Sequence, residues 1–136
     1  MANWIIPCNL KYYDVFGAFD HFVQVQWRQV AKAIEQGDIV YIYAGKPIQA
    51  IVFKCLVVKT DILLEESDGD TEFDLSDELE PFGRYMQLKL LKKYPRNALT
   101  FDKIVAAGYR GSIQSQRHTG EIIQSLIDAM DEKPLK

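Results

Sequence analysis

Trp27 stands between Gln26 and Arg28, with Gln29 one place on. A flat indole among amides and a guanidinium is a poor core group but a good wall for stacking a base, an interaction of roughly 1–3 kcal/mol per base. Tyr12, Tyr13, Tyr41 and Tyr43 could add rings, and the Asn9 amide could read a base edge. Each has a plainer reading. Trp27 can be ordinary core, one of Tyr12 and Tyr13 is expected in the core, and Asn9 suits a helix N-cap. Tyr43, nearer the strand end and the Gly45 turn, is the better pocket residue of its pair, and Trp4 is expected in the core.

Groups suited to catalysis are scarce. His21 and His118 are far apart and have no metal-type spacing. The chain has no H-x-E with P-C-x-x-C, no G-x-S-x-G, no P-loop and no dinucleotide fingerprint. Cys8 and Cys55 are too few for a four-ligand zinc site and are expected as reduced, buried thiols. Asp68, Asp70, Glu72 and Asp74 resemble a calcium loop, but the positions that need Gly and Glu carry Phe73 and Leu79. No catalytic residue, metal or cofactor is expected, so binding is the function class left.

The elements that would position these groups follow from periodicity. Residues 4–8 read as a first strand, and 9–19 as a cap at Asn9 followed by a short aromatic helix. Val23, Val25 and Trp27 alternate like a strand or extended loop, while 30–34 look helical. Residues 39–43 form a β-branched and aromatic strand entered through Gly37-Asp38. The spacing predicts a long strand over 49–60, with Ile51, Phe53, Cys55 and Val57 on one face, and another over 84–93 with Met86, Leu88 and Leu90 inward. A short helix over 101–107 should end at Gly108. Residues 112–114 are expected as a last strand, before a closing helix over 119–130 whose apolar stripe includes Ile122, Ile123, Leu126, Ile127 and Met130. The expected fold is α+β: a small, partly open barrel of about five strands, antiparallel in character, flanked by helices.

At 136 residues, 48% of them hydrophobic, the chain is read as one domain spanning 1–136. It has no run of eighteen apolar residues and no signal-peptide pattern at its start, so a cytoplasmic location is expected. The net charge of −3 hides an uneven distribution. Residues 61–80 hold ten acids and no Lys or Arg, read as a solvated acidic surface loop; without them 16 basic residues face 9 acidic ones, a net charge of +7. The segment 84–117 holds eight basic residues and a single acid, Asp102. Arg28, Lys89, Lys92, Lys93, Arg96, Arg110 and Arg117, with the polar Gln114 and Ser115, are therefore candidates for contacts to a nucleic-acid backbone. Gln116 belongs to the same polar run.

In order, Asn3-Trp4-Ile-Ile-Pro-Cys-Asn9, an aromatic helix, Trp27-Arg28, Gly37-Asp-Ile-Val-Tyr-Ile-Tyr43 and the strand 51–58 resemble the first half of an EVE domain of the PUA-like superfamily. Arg110-Gly111-Ser112-Ile113-Gln114 is similar to that family's Arg-x-Ser-Val-Gln strand, although Leu10 stands where a proline is usual. The resemblance implies a PUA-like barrel related to the YTH modules that read methylated RNA. It is similar also to the N-terminal specificity domains of modification-dependent restriction endonucleases. From these it implies a reader that flips a modified base of DNA, such as 5-methylcytosine, hydroxymethylcytosine or a methylated adenine, into an aromatic pocket. Any nuclease would lie in another domain or subunit. The alternatives are an RNA-binding PUA-like module, or a protein or small-ligand module with an aromatic cage.

Overall fold

The computed structural model describes residues 2–63 and 84–132. The acidic stretch expected as a surface loop lies, beyond its first three residues, outside the described residues. The elements are β1 (Asn3–Cys8), α1 (Val15–His21), β2 (Gln24–Arg28), β3 (Ile39–Ala44), β4 (Ala50–Leu63), β5 (Arg84–Lys93), α2 (Phe101–Ala106), β6 (Arg117–His118) and α3 (Gly120–Asp131). The strands form one six-stranded sheet in the order β2-β5-β4-β3-β1-β6. The α+β architecture expected from the sequence is present, with six strands among the described residues instead of about five.

The antiparallel expectation is corrected at the centre of the sheet. β1 and β3 pair in parallel, Asn3 opposite Ile39 through Cys8 opposite Ala44. A parallel pair needs a crossover rather than a hairpin, and α1 with β2 supplies it. Both strands therefore end on the same side of the molecule.

Apolar residues on both faces of the strands build two cores. Val40, Ile42 and Ala44 of β3 join Ile6, Val25, Cys55, Met86 and Leu88, with α1 contributing Val15, Ala18 and Phe19. Ile39, Tyr41 and Tyr43 point the other way, toward Ile104 of α2 and Ile123 and Ile127 of α3. β3 is thus buried along its whole length, as a strand covered on both faces must be. On β4 the strict alternation fails at several places, the first at its start. Ile42 pairs with Phe53 but Tyr43 with Ile51, so Val52 is an extra residue. Val52 and Phe53 both enter the first core while Ile51 enters the second. Ile51 therefore does not share the face of Phe53, Cys55 and Val57, because the bulge shifts the side-chain period by one.

Other local expectations change through hydrogen bonding. α1 is capped by Asp14, whose carboxylate accepts from Gly17 N at 3.0 Å, whereas Asn9 accepts from Lys11 N at 3.0 Å in a turn before the helix. Residues 30–34 are a turn, not a helix. The buried Gln29 donates to Ala31 O and Ile34 O at 3.3 and 3.2 Å, and Ile34 N donates to Ala31 O at 3.3 Å in a single turn. Residues 112–114 are not a strand; the last strand is Arg117–His118, paired with Trp4 and Ile5. Ile122 is an exposed member of the α3 stripe.

β2 and β6 stand at the two ends of the strand order, and one side chain joins their flanks. Gln116 Nε2 donates to Arg28 O at 2.8 Å, while its Oε1 accepts from Val30 N and Ala31 N at 2.8 and 2.9 Å. A carboxamide has the same donor and acceptor as a peptide group, so Gln116 completes the wall where strand pairing stops.

Candidate nucleic-acid interface

A cleft of about 640 Å³ opens where β1 and β3 end. Pro7, Cys8 and Asn9 form one side, Tyr43 the next, and the turn carrying Gly45, Lys46 and Gln49 a third; Phe101 and the segment Ser112–Gln114 complete it. The lining holds two rings, Tyr43 and Phe101, with centroids 6.3 Å apart at 65°. It also holds the amides of Asn9, Gln49 and Gln114, one ammonium from Lys46, and no carboxylate.

Backbone hydrogen bonds fix this arrangement. Gly45 N donates to Cys8 O at 2.9 Å, drawing the turn against the end of β1. A Cβ on Gly45 would lie 3.4 Å from that carbonyl, at the near edge of ordinary van der Waals contact. Phe101 N donates to Gln49 O at 2.8 Å and Ile51 N to Leu99 O at 2.9 Å, tying the start of α2 to the β3–β4 turn. Thr100 caps α2, its hydroxyl accepting from Lys103 N at 3.3 Å. Phe101 is therefore held across from Tyr43 by main-chain contacts on both sides.

Burial sets the state of two ionisable groups in the cleft, Tyr43 and Cys8. Burial, followed by the Asp102 charge, raises the Tyr43 phenol above its ordinary value, so it remains a neutral hydroxyl. Burial, then the Asp14 charge, pushes the Cys8 thiol up to about 12, which leaves it protonated and a poor nucleophile. Among the described residues no group of three or more His, Cys, Asp or Glu is arranged to hold a metal ion. The lining can stack a flat ring and hydrogen-bond its edge.

Of the residues singled out in the sequence, Asn9, Tyr43 and Gln114 meet in this cleft. Trp27 lies elsewhere: it is half-buried on β2, packs on the first core, and meets Tyr13 edge-on with centroids 5.0 Å apart. Tyr12 is exposed, with the Lys11 ammonium 5.6 Å from its ring centre. Tyr41 is buried among the residues under α3, and its hydroxyl accepts from Gln124 Nε2 at 3.5 Å.

The basic run is divided among different faces. Lys92 joins Lys54 and the Tyr94 hydroxyl on Asp131, at 2.9, 3.4 and 2.9 Å. Burial pushes the Asp131 carboxyl up, but the bonds from Lys92 and Tyr94 and the Lys54 charge outweigh it and hold it below its usual range. Lys93 pairs with Asp20 at 3.3 Å, Arg96 lies 4.1 Å over the Phe16 ring, and Arg117 donates to the Tyr109 hydroxyl. Arg28, Lys89, Arg110 and Ser115 are exposed. Gln116, read as a possible nucleic-acid contact, is taken up by barrel closure. Lys46, Gln49 and Phe101 were missed: the Gly45-to-Pro47 punctuation marks a turn, but nothing local says that it borders a cleft.

No protein-family model and no curated protein matches the chain. Solved structures do match in fold. The human THYN1 protein, solved in complex with 5-methylcytosine-containing DNA, superposes with a TM-score of 0.67 at 9% identity, covering 99% of this chain and 100% of that one. A Leishmania major hypothetical protein gives 0.65 at 13% identity, covering 97% and 95%. The ASCH protein of Zymomonas mobilis gives 0.63 at 12% identity, covering 95% of each. At these identities the likeness concerns the backbone arrangement. The chain shares its fold with the ASCH and THYN1 structures, in agreement with the PUA-like fold expected from the sequence.

Proposed function

We propose that this domain binds nucleic acid, modified DNA first among the candidates, and receives one extruded base in the cleft between Tyr43 and the β3–β4 turn. The observation that carries this reading is the lining itself: two rings, three amides and an ammonium with no opposing carboxylate. A volume of about 640 Å³ takes a base with part of its sugar. Extruding a base costs a few kcal/mol, which ring contacts and hydrogen bonds to the base edge can offset. Pro7 and Ile113 offer an apolar surface for a methyl group, and Lys46 with the exposed Arg110 and Lys89 is available to phosphates. The fold shared with a DNA-bound protein supports the same reading. Recognition then needs no chemical step, and any cleavage belongs to a nuclease in another domain or subunit.

The test is a binding titration with matched duplexes carrying cytosine, 5-methylcytosine, 5-hydroxymethylcytosine or N6-methyladenine, with an RNA of the same sequence alongside. Tighter binding to one modified duplex, lost in Asn9→Ala without loss of folding, is the expected result. Stronger binding to the RNA would transfer the same cleft to an RNA ligand. No binding to any duplex or RNA at low salt would end the nucleic-acid reading.

A further inference from the structure

We infer that Gln49 is a specificity-determining residue, reading the polar edge of the ring that enters the cleft; this rests on the base-binding reading above and adds Gln49 to Asn9 among the side chains that discriminate. Gln49 closes the turn between β3 and β4. Its N–H and that of Ile48 both donate to Gly45 O, at 3.1 and 3.0 Å, and its φ is 49°. That left-handed conformation is the one glycine and asparagine adopt readily, and it strains a longer side chain. The main chain is held there because Gln49 O accepts from Phe101 N at 2.8 Å and Ala50 bridges to Thr100.

Among the described residues, none bonds the carboxamide placed at this strained position, and Gln49 is exposed. Gln29, Gln116 and Gln124 are bonded to other groups, and of the glutamines with no such bond only Gln49 and Gln114 line the cleft among the described residues. Gln49 lines the cleft with Tyr43, Phe101 and Lys46, so a fixed backbone roots a free amide in the wall of the candidate site. One acceptor and two donors match the adjacent donor and acceptor on the edge of a neutral base, as glutamine does with adenine in a DNA groove. A neutral heteroaromatic ring with such an edge is the ligand class this arrangement fits.

Two variants separate reading from structure. Gln49→Met keeps the length and neutrality of the side chain but removes its hydrogen bonds; Gln49→Gly removes the side chain and the strain together. In the duplex titration, each is expected to shrink the ratio between the best- and worst-bound base about tenfold, with an unchanged salt dependence. Gln49→Gly should also raise Tm by about 2 °C as the strain is relieved. If both variants keep the wild-type base preference, the assignment to Gln49 is overturned while the base-binding reading stands. If the wild-type protein prefers no base, both fall together.

Discussion

β1 and β3 run side by side, and polar side chains at their two ends act to opposite effect. At the starting end, Asp38 is buried and accepts from Ala2 N, Trp4 Nε1 and Glu35 N at 3.0, 2.9 and 2.9 Å. Burial raises its carboxyl, yet the bonds from Ala2, Glu35 and Trp4 outweigh that and leave it below its ordinary value. At the finishing end, Asn9, Gln49 and Gln114 face an open cleft. Gln116 in the barrel seam and Gln49 in the cleft carry the same carboxamide, one saturated by three backbone groups and the other unengaged among the described residues. A polar side chain that the fold satisfies is holding the fold; one held in place and left unsatisfied is available to a ligand.

The largest expected effect lies at the sealed end. Asp38→Ala leaves the indole and two backbone donors without their acceptor and should destabilise the domain by about 3 kcal/mol in chemical denaturation. Because the carboxyl lies below its unfolded value, its contribution is fully present above the unfolded pKa near 4 and is lost as pH falls through the lower folded value. The wild-type protein should therefore lose stability below about pH 4, and Asp38→Ala should lose less over that window. An equal acid loss in both proteins would assign the effect to other carboxylates, Asp131 first.

Next comes the seam. Gln116→Leu removes bonds to Arg28, Val30 and Ala31, where water can partly replace them, and should cost roughly 1–2 kcal/mol. Oligonucleotide affinity should stay within twofold; a large affinity loss with little destabilisation would move the site toward the seam and Trp27. For Gln114→Ala in the cleft the expectation reverses: affinity for the preferred duplex falls about tenfold, while stability changes by less than about 0.5 kcal/mol. The smallest effect belongs to Lys93→Ala, which opens an exposed pair with Asp20 and should shift stability by under about 0.5 kcal/mol. A larger change would mean that β5 and α1 depend on that pair.

Regular elements with strong periodicity were legible in the sequence. The strands around 39–43 and 84–93, the long strand after Gly45 and the closing helix appear close to where their patterns placed them. Part of the cleft was legible too: Asn9, Tyr43 and Gln114 stood out as an amide beside an apolar strand, a ring near a strand end and an amide in a basic run. Trp27 stood out more, yet its position against Tyr13 and the first core follows from what packs opposite β2.

The alternation of apolar and polar residues determined the strands, their buried faces and the α+β class, because a side chain's direction follows from its place along a local repeat. The tertiary structure alone decided the parallel pairing of β1 with β3, the bulge at Val52, the closure through Gln116 and the meeting of Asn9 with Gln49, Phe101 and Gln114. Each of these depends on which groups arrive from distant parts of the chain. Two glutamines identical in sequence become a structural clip or an open amide according to the partners that folding brings to them.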